Sequence, residues 1–262
     1  MLQHEAKASS RGVGRVLAIL NLLAGSEPLT LSEVARRIDS PISTTRLVLK
    51  GLDRAEYVTL RASDKKYETG PALAGLSARV LSQSVLVTFA RPAIVALTER
   101  IREDVYLGVV GSGGVSYILK SDGPHPLRAA FSLGTSRPRH ATAVGKLDLA
   151  FRSRGELDDI LATLKLERFT PRTITDLEVL RSELDIIRKR GFATSAEEGF
   201  VGVAATAAPV LDHRETMVGA ISVSVPIERY LSASETLAAA TLDTANEISR
   251  RLGSTANFQR AE

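Results

Sequence analysis

Apolar residues recur at helical spacing from Val13 onward. Val16, Leu17, Leu20 and Leu23 share one face of "VGRVLAILNLLAG", and Gly25 closes the run. The segment "LTLSEVARRID" predicts a second, short helix. Thr30 can accept from the N–H three residues on while Glu33 reaches back, and Leu31, Val34, Ala35 and Ile38 make the buried stripe. Residues 39–41 alone separate it from a third helix, for which Ser40 suits the N-cap and Pro41 the first turn. Two strand-like runs follow, 57–61 and 66–69, joined by a polar turn at 62–65. Three short helices and a hairpin make a winged helix-turn-helix.

Beyond it the pattern predicts a helix over 71–84 and a long apolar helix over 88–102. The strands "VYLGVVG" and "VSYILK" are joined at Ser112-Gly113-Gly114. Helices are predicted over 141–152 and 156–164. Another opens at a Thr175/Glu178 capping box and ends before Gly191. Strands at 203–210 and 217–225 precede a final helix, which starts at a Ser232/Glu235 capping box and runs to Gly253. The fold class is α+β: an N-terminal winged helix-turn-helix over 1–70, a helical linker over 71–87, and an α/β domain with a largely antiparallel sheet over 88–262.

Charge placement adds a partner. The formal net charge is +4, yet Lys and Arg outnumber Asp and Glu by 13 to 8 in residues 1–91 and stand at 21 to 22 in the rest. The positive excess lies where a polyanion would bind. The chain has no cysteine, which excludes disulfides, thiolate metal sites and cysteine nucleophiles. No run approaches the roughly 18 apolar residues of a membrane span, and the N-terminus lacks a signal-peptide core, so a cytoplasmic location without membrane partners is expected.

At about 100° per residue, Ile42, Thr45, Val48, Leu49 and Leu52 fall on the packing side of the third helix. Ser43, Arg46, Leu47, Lys50 and Arg54 fall on the adjoining side. A helix in the major groove needs short hydrogen-bonding side chains near its start and cations that reach phosphates. Base reading is therefore assigned to Ser43, Thr44, Thr45 and Arg46. Phosphate contacts are assigned to Lys50 and Arg54, to Arg61, Lys65 and Lys66 of the wing, and to Arg15 of the first helix.

The pieces "RVLAILNLLA", "LTLSEVARRI", "PISTTRLVLKGL" and "YETGPAL", then "PRHATAVGK", "RTITD", "IRKRGFA", "EEGFVGVAATAAPV" and "GAISVSVP", together resemble the IclR family of bacterial transcription factors over nearly the whole chain. The resemblance implies a dimer or dimer of dimers on partly palindromic double-stranded operator DNA. It also implies an effector-binding domain with a curved sheet that takes a small organic acid and controls a catabolic operon. Ala143 and Val144 would offer N–H groups to that acid, Ser222 and Ser224 would offer hydroxyls from one strand face, and His140, Ser195 and Ala205 fall at further pocket positions. Binding would act on the paired DNA-binding domains through the linker helix.

Several positions depart from the family pattern. Leu47 stands where an arginine is frequent, and Glu56 where a glycine precedes "YV". Ala205 replaces a frequent cysteine, and Ser195 an acid. These replacements make the pocket less polar and point to an aromatic carboxylate rather than a two- or three-carbon keto acid.

Chemistry other than binding finds little support. "HATAVGK" lacks the first glycine and the Ser or Thr of a nucleotide phosphate loop, position 140 being histidine and position 147 leucine. His140 is far in sequence from the other histidines, so a metal site is not expected; its residue type points first to fixing a loop by hydrogen bonds, and no cofactor motif is present. Glu197 and Glu198 could suggest acid–base work, yet adjacent acids in a loop more often cap backbone groups. The competing reading is an acid-binding sensor or enzyme whose N-terminal domain serves protein contacts alone.

Overall fold

The computed structural model describes residues 2–111 and 113–258, with side chains from Gly12 onward, so Ser112 of the expected turn lies outside the described residues. The chain forms two compact units that divide between Gln83 and Ser84.

The first unit runs α1 (Leu2–Ala24), β1 (Leu29–Thr30), α2 (Leu31–Arg37), α3 (Ile42–Arg54), β2 (Val58–Leu60), β3 (Lys66–Thr69) and α4 (Pro71–Gln83). Helix α2 is fixed at its start by the capping box, with Thr30 N donating to Glu33 Oε2 at 2.8 Å and Glu33 N to Thr30 Oγ1 at 3.4 Å. Asp39 takes a left-handed φ of 47°, which a short polar side chain tolerates, and so turns the chain into α3. The expected Ser40 cap is corrected. The N-cap is Pro41, no side chain caps the helix, and Ser40 Oγ is buried without a partner.

Strand β3 pairs antiparallel with both β1 and β2, forming the wing. Ile19, Leu23, Leu29, Val34, Leu49, Val58 and Tyr67 make the core, so α1, α2, α3 and the wing contribute to one apolar cluster. Gly70 is required where it stands, because a Cβ there would lie 2.1 Å from the Glu56 carbonyl oxygen.

The second unit runs α5 (Val85–Ile101), β4 (Asp104–Gly111), β5 (Gly114–Ser121), β6 (Ser136–Arg137), α6 (Ala143–Ala150), α7 (Arg154–Thr163), α8 (Leu177–Arg190), β7 (Ala193–Ala196), β8 (Val203–Leu211), β9 (Met217–Pro226) and α9 (Ile227–Arg251). Six strands pair antiparallel throughout, in the order β6-β5-β4-β9-β8-β7, as a curled half-barrel. The short edge strands β6 and β7 were not predicted.

Cap residues shift several starts. Helix α7 begins at a Ser153/Glu156 capping box, and Asp176, not Thr175, caps α8 by accepting from Glu178 N and Val179 N. The Ser232/Glu235 start is also corrected. Helix α9 begins directly after β9, and Ser232 lies inside it with its hydroxyl on the Arg229 carbonyl at 3.0 Å.

Alternation along the strands divides the sheet into two faces. Tyr106, Ala205, Ala207 and Ala220 cluster with Ala143, Val144 and Leu147 of α6 and with Leu180, Leu184 and Ile187 of α8. Helices α5 and α9 pack together and on β4, β8 and β9. The start of α6 lies close against the preceding loop, since a Cβ on Gly145 would be 2.2 Å from the Arg139 carbonyl oxygen. Gly145 therefore lets the helix terminus pack closely under that loop, with Val144 against Gly108 of the central strand β4.

Candidate DNA-reading face and effector cleft

In the first unit Ser43, Arg46, Leu47, Lys50 and Arg54 are exposed along one side of α3, and Thr44 is half-buried. Arg46, Lys50 and Arg54 make no ion pair among the described residues, so their charges face solvent. With no side-chain cap at Pro41, the first N–H groups of α3 also remain available to a phosphate.

Thr45 is removed from the face. It is 0% exposed, and its hydroxyl donates to the Pro41 carbonyl at 3.0 Å, because position 45 belongs to the packing stripe. Arg61 is engaged within the wing, 2.7 Å from Asp64 and 3.8 Å from Glu68, so a phosphate would have to compete with two acids. Lys65 is exposed at the turn, Lys66 half-buried on β3, and Arg15 half-buried on α1.

In the second unit a cleft lies at the N-terminus of α6, lined by Tyr117, Phe131, Arg137, Ala143, Ser195 and Phe200, with Ala205 in its wall. Thr142 caps α6, its Oγ1 accepting from Gly145 N at 3.2 Å. The N–H groups of Ala143 and Val144, at the first two helical positions, have no acceptor within the helix. They carry the positive end of its dipole. The Val144 side chain packs against Gly108 instead. The Ser195 hydroxyl donates to the Ala141 carbonyl at 3.2 Å.

Ser222 and Ser224 lie on the sheet face that carries Ala205 and do not line the cleft. Ser224 pairs across the sheet with Ala205, Ser222 with Ala207 and Tyr106, and both hydroxyls are buried without a hydrogen-bond partner. Burial pushes the Tyr117 phenol above its ordinary pKa. The Ser222 hydroxyl beside it, short of hydrogen-bond geometry, and the Arg137 charge oppose the shift.

His140 holds a loop, as its residue type suggests, and does not line the cleft, contrary to what the resemblance implies. It is buried away from the cleft with Nε2 2.9 Å from the Glu167 carbonyl and its ring 5.7 Å from that of Phe169, so it fixes a loop.

The segment 197–202 covers the cleft with Phe200 and is held from below. Glu198 sends Oε1 to Lys146 Nζ at 2.7 Å and its carbonyl accepts from Thr173 Oγ1 at 2.6 Å, while Thr170 Oγ1 donates to the Glu197 carbonyl at 2.6 Å. Burial raises the Glu198 carboxyl above the usual carboxylate range, against the attraction of Lys146. The adjacent acids of "EEGF" are thus structural. Among the described residues no three His, Cys, Asp or Glu side chains gather as metal ligands, and no single helix is long and apolar enough to cross a membrane.

Arg137, Tyr117, Phe131 and Phe200 were not predicted as site residues. Arg137 directly precedes "PRHATAVGK", and an arginine at the edge of the motif that builds the cleft was the available signal.

A family model described as bacterial transcriptional regulator IclR C-terminal matches residues 78–250, and one described as IclR helix-turn-helix domain matches residues 12–61. The chain is similar to the HTH-type transcriptional regulator BhcR of Paracoccus denitrificans, 33% identical over 94% of this chain and 88% of that protein. It is also similar to the HTH-type transcriptional regulator KdgR of Escherichia coli, 31% identical over 85% of this chain and 84% of that protein. The crystal structure of the Thermotoga maritima IclR superimposes with a TM-score of 0.75 at 29% identity, over 94% of this chain and 100% of that one.

Proposed function

Because the chain belongs to the IclR family of bacterial transcriptional regulators, we propose that it binds operator DNA through α3 and that a small organic carboxylate in the α6 cleft sets the strength of that binding. It is a DNA-binding regulator and not an enzyme. The target is a catabolic operon, and aromatic carboxylates fit the cleft because its middle is lined by the rings of Phe131 and Phe200.

The observation that carries the effector reading is the set of unmatched groups around one cleft. The N–H of Ala143 at the start of α6 and the partnerless Nε of Arg137 both belong to residues of its lining. Buried polar groups are ordinarily hydrogen-bonded, and an acid with acceptor oxygens would satisfy them. On the DNA side, Ser43, Thr44 and Arg46 read bases, while Lys50, Arg54 and Lys65 hold phosphates. Two copies of α3 on a dimer, or a dimer of dimers, would match a partly palindromic site.

A gel-shift titration against the DNA flanking its own gene, repeated with organic acids that raise the melting temperature of the full chain, tests the reading. The expected result is a specific, salt-sensitive complex whose midpoint moves with one of those acids. No specific shift, or a shift that every stabilising acid leaves unchanged, would overturn it.

A further inference from the structure

Arg137 leaves the edge strand β6 and ends in the effector cleft, its guanidinium carbon 4.2 Å from the centre of the Phe131 ring and 5.0 Å from that of Phe200. No carboxylate among the described residues lies within ion-pair distance of it, whereas its neighbour Arg139 sits 3.5 Å from Asp148. Its Nε is buried without an acceptor. Ring faces attract a cation, but they offset only part of what it loses on leaving water, and they provide no oxygen for its N–H groups. The guanidinium is a planar donor array beside two rings that also meet each other, their centres 5.7 Å apart.

Two features of the lining favour negative charge. Tyr117 and Phe131 adjoin Arg137, with the rings of Tyr117 and Phe131 stacked at 6.0 Å. Ala141, Thr142, Ala143, Ser195 and Gly199 surround the start of α6, where the Ser195 hydroxyl meets the Ala141 carbonyl and a Cβ on Gly199 would lie 2.9 Å from that same oxygen. Phe200 is next to Gly199 in the chain and over Arg137 in space. The guanidinium and the helix N-terminus attract an anion by different devices.

We propose that the effector is a small dicarboxylate, one carboxylate held by Arg137 and the other by the N–H groups that begin α6. This rests on the effector reading of the same cleft and narrows it. Phe131 and Phe200 give the site an apolar middle, so a flat spacer between the two carboxylates fits. Burial also draws the Arg137 guanidinium below its ordinary pKa, as expected of a cation awaiting its counterion.

Isothermal titration of the full chain with matched acids tests the assignment: benzoate against phthalate, isophthalate and terephthalate, and butanoate against succinate. At least one diacid is expected to bind about 10- to 100-fold more tightly than its monoacid, the worth of a charge-assisted hydrogen-bonded pair. In Arg137→Met that advantage disappears while the monoacid keeps its affinity within about twofold, and Arg137→Lys restores part of it.

Equal binding of mono- and diacids by the unaltered chain overturns the proposal whether or not the variants fold. Equal losses for both acids in Arg137→Met overturn it too, since both devices would then grip one carboxylate. A diacid unaffected by Arg137→Met shows that the cation is not an anchor. If neither class binds, the effector reading fails with it; if monoacids bind and diacids gain nothing, only the second anchor fails.

Discussion

Replacing Lys146 by methionine would remove one charge from a place that water does not reach. Lys146 is 1% exposed and Glu198 8%, with Nζ 2.7 Å from Oε1, while Oε2 of the same carboxylate is buried without a partner. The nearby Glu183, 3.5 Å from Nζ, also has Arg190 at 3.4 Å and keeps a counterion. Glu198 has none left. Folding of the variant must therefore protonate it.

The magnitude follows from that proton. An ordinary glutamate titrates at 4.5, and holding it neutral at pH 7 costs about 1.4 kcal/mol for each pH unit between, about 3 kcal/mol in all. Methionine keeps the apolar stem of the lysine in place, so little packing is lost. The deficit carries its own pH signature. Burial raises the folded-state pKa of Glu198, so the folded variant holds a proton that the unfolded chain has released. The deficit is then greatest at neutral pH and shrinks by about 1.4 kcal/mol per unit on acidification, vanishing near the unfolded value. The double variant Lys146→Met/Glu198→Gln strands no charge and should recover most of the loss.

Calorimetric unfolding of the full chain at pH 7 and pH 5 reads both effects, and only the transition of the larger unit should move. A deficit independent of pH, or a double variant as unstable as Lys146→Met, would refute the charge argument and leave packing as the cause.

Three further outcomes are expected. Lys50→Ala should weaken operator binding about equally across sequences and reduce the slope of log affinity against log salt by about 1, measured by filter binding; an unchanged slope would show that Lys50 touches no phosphate. Glu56→Gly should stabilise the first unit by about 1 kcal/mol, because Glu56 holds a left-handed φ of 59° that costs an L-residue about 1–2 kcal/mol, and a fall in melting temperature would reveal a contact that the carboxylate makes. Glu215 accepts from the Ser254 hydroxyl at 2.6 Å and from Thr255 N at 2.9 Å, bonds that hold its carboxyl below the usual range. Its stabilisation is therefore complete above the ordinary glutamate pKa and lost as pH falls through the lowered one, so the stability gap to Glu215→Gln in denaturant titrations should close in acid and widen towards neutrality.

The winged unit was readable because its signals are local. Periodicity placed α2 and α3, the Thr30/Glu33 box placed a helix start, and the alternating run placed β3 at the residues observed. Thr45 shows the limit. Its side chain is polar, but its position in the stripe decides, and a hydroxyl can be buried because the Pro41 carbonyl four residues back accepts from it. Caps in the second unit misled wherever two suitable residues stood near each other, as with Thr175 and Asp176, since only the turn geometry selects between them.

The cleft was less readable because it is assembled from segments far apart in sequence. Ala143, Ser195 and Ala205 were placed in it by resemblance, whereas Arg137, Phe131 and Phe200 come from a two-residue edge strand and from irregular segments, which carry no periodicity. His140 was placed in the pocket by its position inside the motif and in a loop-fixing role by its isolation from other histidines, and the bond to the Glu167 carbonyl agrees with the second.

A cleft of this kind carries a cost while empty. A buried donor without an acceptor, as at the Nε of Arg137, forgoes about 1–3 kcal/mol relative to a bonded one. The same deficit is what an acid with acceptor oxygens recovers on binding. Such an acid alters DNA affinity only if the two DNA-binding states of the protein satisfy its oxygens unequally, and its leverage cannot exceed that difference. The pieces able to create the inequality are limited. Lys146 and Glu198 tie α6 to segment 197–202 through a buried pair, so these two walls of the cleft act as one block. Arg137 and Phe131 lie on the other side, on β6 and the segment preceding it, and Phe200 meets both, its ring centre 5.0 Å from the Arg137 guanidinium carbon and 5.7 Å from the centre of the Phe131 ring. An effector that grips both sides works against these contacts of one ring rather than against the sheet, and there a difference of a few kcal/mol suffices to select between states.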